Sequence, residues 1–120
     1  MKFCWCTLNV KDMESSLKFY TEIVGLDIER RMQAGPDIEI VFLGKGETKV
    51  ELIANANNTN VEMGRDISLG FETESVDRLM ETLKNKGVAI LSGPHQPNPH
   101  VKFFYVSDPN GLKIQFVENM

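Results

Sequence analysis

Two cysteines, two histidines and a pair of adjacent arginines are the first residues in this chain with chemistry to offer. Cys4 and Cys6 form a C-x-C pair. On a strand, residues two apart point to the same face, and their Cα atoms lie roughly 6.6 Å apart, near the upper limit for a disulfide. Buried free thiols in a reducing compartment fit that spacing better. A metal pair is the alternative, but no second cysteine pair exists to complete a site. His95 and His100 sit in Gly93-Pro94-His95-Gln96-Pro97-Asn98-Pro99-His100, which holds three of the five prolines. Proline lacks an N–H and has a fixed φ, so this segment reads as a stiff loop, not a helix or central strand. It runs into a strand-like stretch, which puts His100 at a sheet end. An imidazole there can act as acid or base near neutral pH or as a ligand, while a solvent-facing ring is the plainer expectation. Arg30 and Arg31 lie on a strand-like run and point in opposite directions. One of them could meet an anionic substrate; ion pairs with Glu29 or Asp27 explain them as easily.

The elements that must carry these residues follow from periodicity. Residues 2–10 alternate, with Cys4, Cys6, Leu8 and Val10 on one face and Trp5, Thr7 and Asn9 on the other, as a half-buried strand does. Asp12 reads as a helix N-cap with Glu14 in the first turn. Met13, Leu17, Tyr20 and Val24 recur at helical spacing, and Gly25 stops the helix. Strand-like runs follow at about 26–33, 38–43 and 48–54, punctuated by Gly35-Pro36 and Gly44-Lys45-Gly46. The Asn-rich stretch 55–64 reads as a linker. The order then repeats. Ile67, Leu69 and Phe71 alternate with Asp66, Ser68 and Gly70. Ser75 caps a helix striped by Val76, Leu79, Met80 and Leu83 and stopped by Gly87. Strand-like runs follow at about 88–91, 101–106 and 112–118, and Asp108-Pro109-Asn110-Gly111 is a strong turn signal. Leu8 matches Leu69, Gly25 matches Gly87, and Lys49-Val50-Glu51-Leu52 matches Lys113-Ile114-Gln115-Phe116. An internal duplication of βαβββ units is expected, with a single unsymmetrical α+β sheet as the alternative. Phe103, Phe104 and Tyr105 are expected mostly in a core, though one face of their strand must line a cavity.

Composition bounds the function. The chain has 120 residues, 42% of them hydrophobic and 25% charged, enough for one domain to bury a core without staples. Its net charge is −4 and its Lys and Arg are scattered, so nucleic acid is not an expected partner. No apolar run approaches the roughly 20 residues of a membrane helix. Met1-Lys2-Phe3 leads straight into a strand pattern with no signal-peptide core, so a cytoplasmic location is expected.

Two segments then carry a resemblance. LNVKDMESSLKFYTEIVGL, from Leu8, resembles the first strand and helix of the vicinal oxygen chelate superfamily. FFYVSDPNGLKIQFVEN, from Phe103, resembles its closing hairpin with the D-P-x-G turn. This group holds glyoxalase I, type I extradiol dioxygenases, methylmalonyl-CoA epimerase and the bleomycin- or fosfomycin-resistance proteins. The resemblance implies an α+β fold in which two βαβββ modules form a curled mixed sheet around a cavity. It implies one domain over residues 1–120: module 1 at about 1–54, a linker at about 55–64 and module 2 at about 65–120. It also implies a small-molecule ligand and a homodimer, while charge and hydropathy argue against nucleic acid and membrane.

In metal-dependent members, inward side chains of the first and fourth strands of each module bind one divalent ion. The corresponding positions are Trp5 and Glu51, then Asp66 and Gln115, and alternation puts all four opposite the core face. Only Glu51 keeps the glyoxalase I pattern of His or Gln on the first strands and Glu on the fourth. Tryptophan cannot ligate a metal. An extradiol iron site needs two His and one carboxylate, and neither His95 nor His100 lies on an aligned strand. The resemblance makes Glu51 a base or metal ligand; an ion pair with Lys49 or Lys113 is the structural alternative. Asp66 is a metal or substrate contact, or a polar strand start beside Arg65. Gln115 can donate and accept hydrogen bonds. An oxygen set of Glu51, Asp66 and Gln115 suits Mg or Mn better than Zn. The cofactor expected is a divalent metal (Mn, Mg, Ni or Zn) or none. Trp5 either stacks on a planar ligand or plugs the cavity, with Thr7, Gln115 and His100 as further ligand contacts. Two functions follow. One is a glyoxalase-like, lactoylglutathione lyase-related enzyme abstracting a proton next to a carbonyl, with Glu51 and His100 as catalytic residues. The other is a metal-independent protein that sequesters a hydrophobic or planar compound, as the bleomycin-resistance type does. A structural or regulatory domain with a filled cavity is a third.

Overall fold

Asp12 turns the chain from strand into helix. Its backbone is extended (φ −139°, ψ 119°) and its carboxylate accepts the Ser15 N–H at 2.9 Å, one of the donors that a helix start leaves unpaired. Asp12→Ala is expected to cost about 1 kcal/mol, read as a lower urea midpoint at unchanged slope. In the computed structural model, which describes residues 1–120, helix α1 spans Met13–Lys18 and continues as a π-helical turn over Phe19–Ile23. The spacing of Met13, Leu17 and Tyr20 gives the buried stripe but not the widening. Within that turn the Thr21 hydroxyl donates to the Leu17 carbonyl at 2.7 Å, the back-bonding that bends helices. Gly25 then leaves the helix at φ +87°.

The chain forms two compact units, Met1–Glu62 and Met63–Met120. In the first, β1 (Trp5–Asn9), β2 (Ile28–Gln33), β3 (Ile38–Leu43) and β4 (Lys49–Asn55) make a four-stranded sheet of order β1-β4-β3-β2. β1 runs parallel to β4, with Thr7 opposite Glu51; β3 is antiparallel to both β4 and β2. Leu8, Val41, Leu43 and Leu52 are buried on the face that α1 covers, with Met13, Leu17 and Tyr20. Removing that much apolar surface from water is the main term holding the unit together.

The second unit repeats the plan. β5 (Ser68–Glu72), α2 (Val76–Asn85), β6 (Ser92–Asn98), β7 (Val101–Ser107) and β8 (Lys113–Asn119) give a sheet of order β5-β8-β7-β6, with β5 parallel to β8. Ser75 caps α2 by accepting the Arg78 N–H at 3.2 Å, and the Val76 N–H donates to Glu118 at 2.7 Å. Val76, Leu83, Phe104, Val106, Ile114 and Phe116 are buried. The α+β fold of duplicated βαβββ units is thus observed, each unit with its own mixed sheet. No helix is long and apolar enough to cross a membrane.

Four expectations are corrected. The Pro-rich segment is a strand, β6, while 88–91 is not. Proline is excluded only from ladders that need its N–H, and β6 is an edge strand with an irregular register, paired to β7 alone. The halves match one strand differently: Thr7 and Gly70 hold equivalent places opposite Glu51 and Gln115, so Leu8 corresponds to Phe71, not Leu69. The cysteines are free but not both buried: Cys4 is exposed and Cys6 half-buried, because β1 begins at Trp5 and leaves Cys4 before it. Finally, Asp66 lies in a turn ahead of β5.

Candidate functional site

The face of the first sheet away from α1 carries the chemistry. Alternation along β1 puts Trp5 and Thr7 there, along β4 Lys49 and Glu51, and along β3 Phe42. The hairpin register sets Arg30 of β2 opposite Phe42. Trp5 meets Phe42 edge to face, ring centroids 5.2 Å apart, and the Arg30 guanidinium lies 5.3 Å from the centre of the Phe42 ring. Both are favourable contacts of an aromatic quadrupole. Lys49 Nζ reaches Glu29 at 2.6 Å. Trp5, Glu29, Arg30, Phe42 and Lys49 line a hollow of about 260 Å³. Beside them the Thr7 hydroxyl donates to the Glu51 carboxylate at 2.5 Å.

Arg31, one residue on, faces the other way. It donates to Glu39 at 2.7 Å and to Glu14 of α1 at 2.6 Å. The hydrogen bond to Glu39, then that to Glu14, holds its guanidinium above the ordinary arginine range. These groups are partly solvated, so screening keeps the stabilising effect small. The expected partners Glu29 and Asp27 are engaged elsewhere, by Lys49 and Lys45.

The second sheet carries a different set on the equivalent face. Gln115 donates to the Tyr105 hydroxyl at 3.1 Å, and Lys113 Nζ lies 5.5 Å from the Tyr105 ring centre. His95 packs against Phe103 at 5.2 Å and Tyr105 at 6.3 Å, and these three help line an open hollow of about 600 Å³. Of the three rings expected mostly in a core, Phe104 alone is buried; Phe103 and Tyr105 are half-buried, because alternation turns them to the other face.

Each of the four positions assigned to a metal has its own contacts within its unit. Trp5 has an indole N–H, which donates only. Glu51 holds Thr7. Asp66 is solvent-exposed and reaches Arg65 at 3.4 Å. Gln115 is turned to Tyr105. No three His, Cys, Asp or Glu side chains gather in a group that could hold a metal ion. His100 sits in the turn after β6; its backbone N–H donates to Asn98 at 2.8 Å, and its exposed ring makes no hydrogen bond.

Sequence reasoning missed Phe42, Lys49 and His95 as lining residues, and it expected one face of the Tyr105 strand to line a cavity without saying which. The signal was present. Phe42 lies between Val41 and Leu43, and Tyr105 between Phe104 and Val106; in both places the flanking residues are buried, so the middle ring must face outward.

Duplicated βαβββ units with strand order 1-4-3-2 in each sheet define a class of paired-module α+β proteins. A family model described as the Glyoxalase/Bleomycin resistance protein/Dioxygenase superfamily matches residues 2–116, and the chain belongs to that superfamily. It is 27% identical to the lactoylglutathione lyase of Neisseria meningitidis serogroup A, over 98% of this chain and 91% of that one. It is 26% identical to the probable lactoylglutathione lyase of Synechocystis sp., over 92% and 90%. Among solved structures it resembles Leishmania major glyoxalase I (TM-score 0.84, 25% identity, 98% and 86% covered). It shares the fold of an antibiotic-binding protein from Streptomyces sp. (TM-score 0.79, 24% identity, 100% and 97% covered).

Proposed function

We propose that this chain is a metal-independent member of its superfamily that binds a flat small molecule on the open face of its first sheet. It works as a single domain and as a homodimer, as the resemblance implies, and in the cytoplasm. The observation that carries the proposal is Trp5, set against Phe42 where a metal-dependent relative needs a ligand. A fold that serves both glyoxalases and an antibiotic-binding protein does not choose between them; the stacking wall of Trp5 and Phe42 supports the binding reading.

Trp5 is the only tryptophan, so its indole N–H gives one NMR signal that reports the hollow directly. With metal-stripped protein, flat aromatic probes are expected to shift that signal equally with and without Mn, Ni, Zn or Mg. Calorimetry is expected to show no tight one-site uptake of any of the four. Tight one-site uptake that Glu51→Gln weakens would overturn the proposal.

One observation favours an enzyme instead. The Thr7 hydroxyl fixes the Glu51 carboxylate in a single orientation, as a base removing a proton next to a carbonyl requires, and several relatives are lactoylglutathione lyases. Turnover of a hemithioacetal that Glu51→Gln abolishes, with His100→Ala as the companion variant, is the sign of that activity.

A further inference from the structure

We infer that the flat ligand is an anion, an aromatic carboxylate whose ring lies against Trp5 and Phe42 and whose charge is met by Arg30. This rests on the binding function proposed above and names its ligand class. Of the two cations that line the hollow, Lys49 is paired to Glu29 and Arg30 holds no carboxylate. Arg31 holds two carboxylates, and Lys45, Lys49, Arg65 and Lys102 hold one each. Arg30 touches only the Phe42 ring. A shortage of acids is not the reason, since the chain has 17 Asp and Glu against 13 Lys and Arg. Glu29, the carboxylate next to it in the chain and in the hollow, is taken by Lys49 at 2.6 Å. The lining therefore sets two cations against one carboxylate.

A guanidinium stacked on a ring keeps its planar fork free at the edge, where it matches a carboxylate in two parallel hydrogen bonds. The ring that carries the carboxylate then falls beside Phe42 and Trp5. The volume, about 260 Å³, lies below the roughly 300–1,000 Å³ of drug-sized pockets, which suits a compound of one or two fused rings.

The test uses 2-naphthoate, the neutral 2-naphthalenemethanol and the cationic 2-naphthylmethylammonium, titrated against the Trp5 indole signal. Wild type is expected to bind naphthoate about tenfold or more tighter than the alcohol and the ammonium weakest. Added salt should narrow the gap. Arg30→Gln should bring the ratio of naphthoate to alcohol affinity down to about one; Arg31→Gln, on the opposite face, should leave that ratio as in wild type. Equal binding of naphthoate and the alcohol, or a preference that survives Arg30→Gln, overturns the anion inference while the binding function stands. No shift of the Trp5 signal with any of the three overturns the binding function and this inference with it.

Discussion

Gly93→Ala will destabilise the second unit by about 3 kcal/mol or more. Gly93, the second residue of β6, has φ +110°, where a side chain is strained in any surroundings. A Cβ there would also stand 2.8 Å from Phe104 Cβ, 3.0 Å from Phe104 Cα and 3.2 Å from the Phe103 carbonyl oxygen. None of these is the end of a flexible side chain, and Phe104 is fully buried, so the sheet must shift to make room. Gly87→Ala is the control. It too has a positive φ, +76°, but nothing lies within 4 Å of its Cβ position, so only the backbone cost of about 1 kcal/mol applies. Urea unfolding of both variants separates the two effects. Equal losses would show that close approach to Phe104 is not what Gly93 provides.

Asp108→Ala is expected to cost about 2–4 kcal/mol, while Asp108→Asn loses about 1 kcal/mol or less. Asp108 is buried at the start of the β7–β8 turn. Its Oδ1 accepts the backbone N–H groups of Asn110 at 2.8 Å and Leu112 at 2.9 Å. Alanine strands both donors away from water; asparagine keeps the acceptor oxygen. Thermal unfolding followed by circular dichroism ranks the two, and an asparagine variant as weak as the alanine would show that charge, not the acceptor, holds the turn.

Asp108 also shows why the fold was legible in the sequence and the site was not. The D-P-N-G turn, the Asp12 and Ser75 caps and the stops at Gly25 and Gly87 act over a few residues, so local pattern announces each of them. Alternation along β1 and β4 set Trp5 and Glu51 off the core face in the same way. The partners of those residues are long-range. Thr7 reaches Glu51 across 44 residues, and Phe42 meets Trp5 because β3 stands two strands from β1, a distance no local window covers. Asp66 shows the converse. Alternation ran on through Ile67, yet the strand starts at Ser68 and Ile67 is exposed, since pattern does not say where pairing begins. The proline count hid β6 because only tertiary position tells an edge strand from a loop.

One irregularity in β2 sets the charge of the hollow. Ile28 pairs with Leu43 and Arg30 with Phe42, so Glu29 is an extra residue opposite no partner, a β-bulge. In a regular ladder counted from the same hairpin, Glu29 would oppose Leu43 and point its carboxylate at the fully buried layer under α1. The bulge lifts it onto the rim, where it meets Lys49. The ionic makeup of the hollow is thus written in chain length as well as in residue type. Substitutions along β2 act one side chain at a time. Losing one residue before Glu29, and the bulge with it, would turn Glu29 from the wet face of the sheet to its dry one while Arg30 stayed in place, so the hollow would keep its cations and lose its acid.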